Sequence, residues 1–132
     1  MNRLTIVAVA MNAIVFALLI PVLELNSSHL TNPLWPSHAR LHEAWQLLTN
    51  AAIAIFALRL AFSRKDSRIA IALCLITGVS FLIAWATSSS YGGSMLHSDG
   101  TQMAVAGINV AVLVVAALTL LLVVSAFRER SK

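Results

Sequence analysis

Residues 4–25 read LTIVAVAMNAIVFALLIPVLEL, an apolar run whose interruptions before Glu24 are Asn12 and Pro21. About 20 apolar residues are enough for a helix to cross the hydrocarbon core of a bilayer. A signal peptide is the alternative, but the run exceeds a usual signal core and has no small-x-small cleavage site before Glu24. We therefore predict a transmembrane helix, with Pro21 removing one backbone hydrogen bond and kinking its outer end.

Three further apolar runs follow, at about residues 39–62, 69–88 and 102–127. The link at 63–68 is so short that the second and third helices must be antiparallel neighbours. The predicted fold is an all-α, up-and-down bundle of four transmembrane helices, forming a single domain over residues 1–132. Gly107 and several alanines in the fourth run favour close packing, but there is no GxxxG motif, so the oligomeric state stays open and includes a homo-oligomer.

The composition agrees with lipid as the solvent. The 132 residues are 59% hydrophobic and 11% charged, whereas a soluble domain has about a quarter charged residues. The net charge of +4 does not indicate a nucleic-acid partner, because the basic residues stand in short groups at the ends of apolar runs and form no basic face. Cys74 is the single cysteine, so an intramolecular disulfide is excluded.

The basic residues predict an orientation, because lysines and arginines concentrate in cytoplasmic loops. Arg40 stands alone on one side of the predicted bundle. The other side collects Arg3, Arg64, Lys65, Arg68, Arg128, Arg130 and Lys132. We therefore expect an integral membrane protein, in a bacterial inner membrane, with both termini cytoplasmic and loops 26–38 and 89–101 outside.

All four histidines and three of the five carboxylates fall on the outer side, which is the strongest functional indication in the sequence. The acidic and basic residues of the inner side are explained by topology and solvation, whereas the outer group has no such explanation. That outer group consists of Glu24, His29, His38, His42, Glu43, His97 and Asp99.

A polar series begins the second helix. Pro36 and Ser37 are suited to a helix start, and His38, His42, Gln46 and Asn50 then recur at a spacing of four. Polar side chains are costly against lipid, so we expect this series to face the bundle interior or a water-filled cavity. The plainer alternative for Gln46 and Asn50 is interhelical hydrogen bonding to Asn12 or Asn109, and for the histidines an interfacial pair without chemistry.

Two chemistries compete for the histidine pair. A H-x-x-x-H spacing on a helix supplies two ligands to one metal, with His97 or Asp99 as the third. Alternatively, a histidine beside Glu43 and Arg40 transfers protons near neutral pH. Glu43 is then either a buried general acid or base or a first-turn carboxylate stabilised by the helix dipole. Arg40 holds a carboxylate or phosphate, pairs with a glutamate or contacts headgroups.

The second outer loop contributes His97, which is expected to fold over His38 and His42. Asp99 begins a segment, residues 99–102, that resembles a capping box opening the fourth helix. The three tryptophans fit an aromatic belt at the outer interface, and Trp45 is the best candidate for a pocket wall. They are Trp35, Trp45 and Trp85.

Residues 32–42 read NPLWPSHARLH, which resembles the N-P-x-W-P-x-H-A-R-x-H signature of a family of small four-helix integral membrane proteins for which no activity is established. The resemblance covers these residues only and implies a four-helix membrane fold. In architecture, a four-helix bundle with outer carboxylates is also similar to the emopamil-binding and sigma-2-like proteins, which hold sterol-sized ligands in a membrane-open cavity. That similarity concerns architecture alone.

The sequence therefore predicts an outward-facing polar pocket for a small lipophilic molecule, with acid–base isomerase or hydrolase chemistry if it is an enzyme. The predicted catalytic residues are His38, Arg40, His42 and Glu43. The predicted ligand-binding residues are Trp45, Gln46, Asn50, Trp85, His97 and Asp99. No cofactor is expected, with a metal at His38, His42 and His97 as the alternative. The other interpretation is a non-enzymatic membrane subunit whose outer loops bind a partner.

Overall fold

A computed structural model describes residues 2–63, 66–97 and 100–130. It confirms the predicted all-α class with four long helices, each long and apolar enough to cross a membrane. These are α1 (Arg3–Glu24), α2 (Ser37–Ser63), α3 (Ser67–Ala86) and α4 (Val110–Arg130). The predicted residues Arg64, Lys65, Asp99 and Lys132 lie outside the described ranges.

The elements between α3 and α4 are short. A 3₁₀ turn, Ser88–Tyr91, follows α3. A two-stranded antiparallel hairpin, β1 (Ala104–Val105) and β2 (Ile108–Asn109), precedes α4. These elements and residues 25–36 lie at the same end of the bundle, which we call the loop end.

Successive helices are neighbours, and α1 also contacts both α3 and α4. The opposite end of the bundle is tied together by the Glu129 carboxylate, and we call it the Glu129 end. Its Oε1 atom accepts hydrogen bonds from the Asn2 N–H (2.7 Å) and the Thr5 hydroxyl (3.0 Å). Its Oε2 atom accepts one from the Ser67 hydroxyl (3.3 Å). One carboxylate thus joins the start of α1, the start of α3 and the last turn of α4.

The helices pack through small residues spaced three and four apart, the spacing of a coiled-coil seam. On α2 the fully buried positions are Ala54, Ala57 and Ala61. In lipid there is no hydrophobic force between apolar helices, so their association depends on van der Waals contact that small residues permit. The first core cluster, towards the Glu129 end, contains Ala8, Val9, Ala57, Ala61, Ala70, Cys74 and Leu122.

The second core cluster lies towards the loop end and contains Ala13, Val15, Phe16, Ala54, Val115 and Leu118. In this half of the bundle α1 has a π-helical turn, Val15–Leu19, in which the Ile20 N–H donates to the Val15 carbonyl five residues back. Pro21 follows directly. A proline ring collides with the carbonyl four residues before it, and a widened turn is a recognised way to accommodate such a residue. The end of α1 that lies at the loop end of the bundle is therefore irregular, next to Pro21, as the sequence predicts.

The fourth helix begins later than predicted. Seven of the eight predicted helix bounds agree with the structure to within about three residues, but α4 starts at Val110 instead of 102. Residues Ala106 (φ 51°) and Gly107 (φ 80°) form the turn of the hairpin, which suits the two left-handed positions of a type I′ turn. The predicted helical packing role of Gly107 is therefore wrong.

The cap of α4 is Asn109, whose Oδ1 accepts the Ala111 N–H at 2.8 Å. The predicted capping box at 99–102 does not open this helix, although Asp99 itself lies outside the described residues. The error has a plain physical cause. The apolar residues of the hairpin have the hydropathy of a membrane span, whereas the turn pairs β-branched Val105 with Ile108 and breaks the helix.

Three side chains have buried polar atoms without hydrogen-bond partners among the described residues. The atoms are Nδ2 of Asn2 at the Glu129 end, both amide atoms of Asn12, and the hydroxyl of Thr119. The predicted hydrogen bonds from Gln46 or Asn50 to Asn12 are thus not formed, and Asn109 instead caps α4. An unpaired buried polar group costs about 1–3 kcal/mol, so these positions lower the stability of the bundle.

A close approach between α3 and α4 provides a test of the packing. A Cβ atom at Gly78 would lie 2.5 Å from Thr119 Oγ1. We therefore expect Gly78→Ala to destabilise the bundle by about 1–3 kcal/mol through overpacking, seen as a lower melting temperature in mild detergent.

Thr119→Ala is the compensating substitution, because it removes the hydroxyl with which the new Cβ atom would collide. The double variant Gly78→Ala/Thr119→Ala is expected to melt at least as high as Thr119→Ala alone, since alanine is the better helix former. Equal melting temperatures for the wild type and Gly78→Ala would contradict the close approach.

Candidate functional site at the loop end

The rotation of α2 decides which of its polar residues face the bundle. Its buried residues are Leu47, Ala54, Ala57 and Ala61, and with Asn50 between the first two they form a seam with alternating spacings of three and four. Continued towards the loop end, the same seam passes through Glu43 and Arg40, which are half-buried like Asn50. Arg40 and Glu43 therefore lie on the inward side of α2.

The histidines of α2 face outward. His38, His42 and Gln46 are exposed, and only Asn50 of the predicted polar series is half-buried. The prediction that this series faces the interior is therefore wrong for three of its four positions. The cause is the alanine seam, which fixes the rotation, while residues at a constant spacing of four drift round the helix. Trp45 is on the outward side too, with 65% of its surface exposed.

His38 and His42 form a pair on this outward surface. Their Nε2 atoms are 3.0 Å apart, and the rings meet edge to face with centroids 4.4 Å apart. Such a bond requires one ring to donate its Nε2–H and the other to accept. The ring of Trp45 lies 6.0 Å from that of His42, which completes an imidazole and indole surface.

A second group of titratable side chains, which we call the loop-end cluster, consists of Glu24, His29 and His97. Glu24 is the last residue of α1, and its Oε2 lies 3.6 Å from His29 Nε2. The other ring nitrogen, His29 Nδ1, lies 2.9 Å from Ser28 Oγ. The side chains of His29 and Glu24 are only 22% and 26% exposed. The carboxylate thus lies beside one imidazole nitrogen, and the serine hydroxyl is within hydrogen-bond distance of the other.

His97 approaches His29 from the second loop. The two rings meet edge to face with centroids 5.0 Å apart, and Glu24 interacts electrostatically with both histidines. The ring contact of His97 is therefore with His29, and the expectation that it covers His38 and His42 is wrong. Glu43 lies within electrostatic range of Glu24, so two carboxylates from α1 and α2 share this side of the bundle.

The predicted catalytic set is thus divided between two surfaces. Arg40 and Glu43 lie on the inward seam, with Glu43 within electrostatic range of Glu24 in the loop-end cluster. His38 and His42 lie on the outward face. Among the predicted ligand-binding residues, Trp85 is 42% exposed in the last turn of α3, and Asp99 lies outside the described residues.

The first loop is held in shape by asparagine side chains. Asn26 Oδ1 accepts the Ser28 N–H at 2.7 Å. Asn32 is 3% exposed and its Oδ1 accepts the Leu34 N–H at 2.9 Å, which is the turn that asparagine side chains form with the backbone two residues on. The Asn32 side chain therefore has a structural role, and the turn it forms brings Trp35 to 6.2 Å from His29.

Glu24 and His29 are the residues that the sequence analysis placed in the outer group but not in the site. Their separation of five residues spans a helix end and a turn, so no helical periodicity links them. The sequence feature that could have predicted this contact is the Asn26-Ser27-Ser28 segment between the two residues. Such residues favour turns, and the turn returns His29 towards the end of α1.

Within the described ranges, no three or more His, Cys, Asp or Glu side chains are placed to hold a metal ion together. The metal alternative with His97 as a third ligand to His38 and His42 is therefore not supported by the positions of these rings. What the loop-end cluster offers chemically is a carboxylate that orients an imidazole, an arrangement suited to proton uptake and release.

Comparison with known proteins identifies no relative: no protein-family model matches the chain, and neither a curated protein nor a solved structure is similar to it. The resemblance of residues 32–42 to a membrane-protein signature stays a prediction. Function must therefore be inferred from the chemistry of the site.

Proposed function

We propose that the protein is an integral membrane protein of a bacterial inner membrane, with both termini cytoplasmic and the loop end outside. The four apolar helices support insertion. The distribution of arginines supports the orientation: Arg3, Arg59 and Arg68 belong to the Glu129 end, together with Arg128 and Arg130, whereas Arg40 is at the loop end. Basic residues favour the cytoplasmic side.

Single cysteines test this orientation in a Cys74→Ala background, with Ser27→Cys at the loop end and Ser63→Cys at the Glu129 end. Both serines are exposed. A membrane-impermeant maleimide applied to intact cells is expected to label the first, and to label the second only after permeabilisation. The reverse pattern would overturn the orientation.

We further propose that the loop end binds a small lipophilic molecule that carries a polar group. The observation that supports this most directly is the largely buried Glu24–His29 contact at 3.6 Å. Partly desolvated charged groups at the boundary between helices and loops are expensive and are typical of functional sites. Leu25 and Leu34 are exposed at the same end of the bundle, so the apolar part of such a molecule has a matching surface nearby.

The chemistry proposed for this site is acid–base. Glu24 lies beside Nε2 of His29, which leaves Nδ1, now 2.9 Å from Ser28 Oγ, as the nitrogen that exchanges a proton once the polar group of the substrate replaces the serine hydroxyl. Glu43 supplies a second carboxylate, and Arg40 a positive charge for an anionic group or a developing negative charge. Isomerisation or hydrolysis through proton transfer is the class of reaction that these groups serve.

The proposal is tested by purifying the protein in mild detergent, extracting it with organic solvent and measuring the retained lipid-soluble molecules by mass spectrometry. His29→Ala and Glu24→Gln are expected to reduce the retained ligand by about tenfold or more, because each removes a group to which the polar part of the ligand would bind, the imidazole in the first variant and the carboxylate charge in the second. His38→Ala is the matched control at the same end, and it should retain the ligand fully.

Unfolding temperatures establish that the variants are folded. Equal retention by the wild type and His29→Ala would refute the loop-end site. Loss in His38→Ala with retention in His29→Ala would move the ligand to the outward face.

The His38–His42 pair favours a second candidate function, binding of a divalent transition metal. Two imidazole nitrogens bound about 2.0–2.1 Å from one ion stand roughly 2.9–3.4 Å apart, depending on the coordination angle. The observed Nε2 separation of 3.0 Å falls in that range, and the remaining ligands would come from solvent or a partner.

Titration calorimetry with Cu²⁺ and Ni²⁺ tests this candidate in detergent solution. The wild type is expected to bind one ion per chain, His38→Ala and His42→Ala to lose at least about tenfold in affinity because one of two ligands is gone, and His29→Ala to bind as the wild type does. Unchanged binding by His38→Ala would exclude the pair as the metal site.

A further inference from the structure

A groove between α3 and α4 opens at the Glu129 end, far along the helices from the loop-end cluster. It encloses a cavity of about 460 Å³. Its floor is apolar, with Ile71 and Leu75 from α3 and Ala126 from α4. Its rim carries Arg68 from the first turn of α3 and Arg130 from the last turn of α4.

The acidic and basic side chains at the rim differ in whether they already have hydrogen-bond partners. Glu129 also lines the groove, but its carboxylate accepts three hydrogen bonds from Asn2, Thr5 and Ser67. The guanidinium groups of Arg68 and Arg130 are exposed, and no hydrogen bond or ion pair to another described residue holds either of them. The groove therefore offers two positive charges without partners in the described part of the chain, beside a negative charge that already has three donors.

We propose that this groove binds an anionic phospholipid, with the phosphate between Arg68 and Arg130 and an acyl chain along Ile71 and Leu75. Arginine binds phosphate oxygens through paired N–H donors. Basic pockets between transmembrane helices on the cytoplasmic side are where anionic headgroups bind. The inference rests on the proposed insertion in a membrane, and it is independent of the loop-end ligand.

The shape and polarity of the groove fit a phospholipid better than a soluble phosphate. Its charged rim lies at the helix ends, and its apolar floor extends from there along the helices into the proposed membrane. The arginines stand at the helix ends, where headgroups lie. The apolar floor begins one turn further in, at Ile71, and continues to Leu75. A free phosphate would satisfy the rim and leave that floor empty, whereas a phospholipid covers both.

The experiment is native mass spectrometry of the full chain in detergent, titrated with dioleoyl phosphatidylglycerol and, separately, dioleoyl phosphatidylcholine. The wild type is expected to bind the anionic lipid about tenfold more tightly. Arg68→Gln/Arg130→Gln should lose that preference, because the two guanidinium groups that contact the phosphate are removed.

The matched control is Arg3→Gln/Arg59→Gln, which removes two exposed arginines from the same end of the bundle but not from the groove. It is expected to keep the preference for phosphatidylglycerol. Equal losses in the two double variants would show non-specific attraction to surface charge and would overturn the proposal.

Two further measurements distinguish a bound lipid from a bound inorganic anion. Ala72→Phe leaves both arginines in place but fills the groove from an exposed lining position, and it should lower phosphatidylglycerol binding. Inorganic phosphate at millimolar concentration should not displace the lipid, and displacement would mean an anion site only. Ligand retention at the loop end is expected to be unchanged in the arginine variants, so failure here is distinguishable from failure of the proposed function.

Discussion

The bundle depends on close van der Waals contact between helices, because in the membrane proposed for it apolar side chains would gain nothing by leaving lipid for one another. That contact requires small residues at the seams, and Ala54, Ala57 and Ala61 provide them on α2. Their positions fix the rotation of the helix. The same rotation carries Arg40 and Glu43 inward at the loop end, so the composition of the site is decided by alanines that lie several helical turns away from it.

The long helices could be predicted from hydropathy because a membrane span needs little more than about 20 apolar residues. The start of α4 could not, since the hairpin residues Val105 and Ile108 are as apolar as a span. The decisive feature there is backbone conformation, with positive φ at Ala106 and Gly107. Hydropathy does not report backbone conformation, and within this hairpin turn the residue type that favours positive φ is Gly107.

The sequence was sufficient to predict which end of the bundle holds the candidate site, but it was not sufficient to predict which side chains are in contact there. Polar residues concentrate at the loop end as the sequence indicates, yet a spacing of four selects His38 and His42 whereas the seam alternates three and four. The Glu24–His29 contact depends on a loop path set by Asn26 and Asn32 side chains. Such side-chain hydrogen bonds within an irregular loop leave no periodic trace.

Both ends of the bundle share one structural feature, a buried helix seam that leads to charged residues. A seam that is apolar in the middle continues past the core and ends in charged residues. On α2 it leads to Glu43 and Arg40 beside the loop-end cluster. On α4 the buried positions Leu118, Leu122 and Ser125 lead to Glu129, whose hydrogen bonds draw α1 and α3 towards α4. Because this carboxylate already accepts those hydrogen bonds, Arg68 and Arg130, which line the groove, have no acidic partner among the described residues. The packing that holds the helices together therefore also determines which charges are free to bind a ligand.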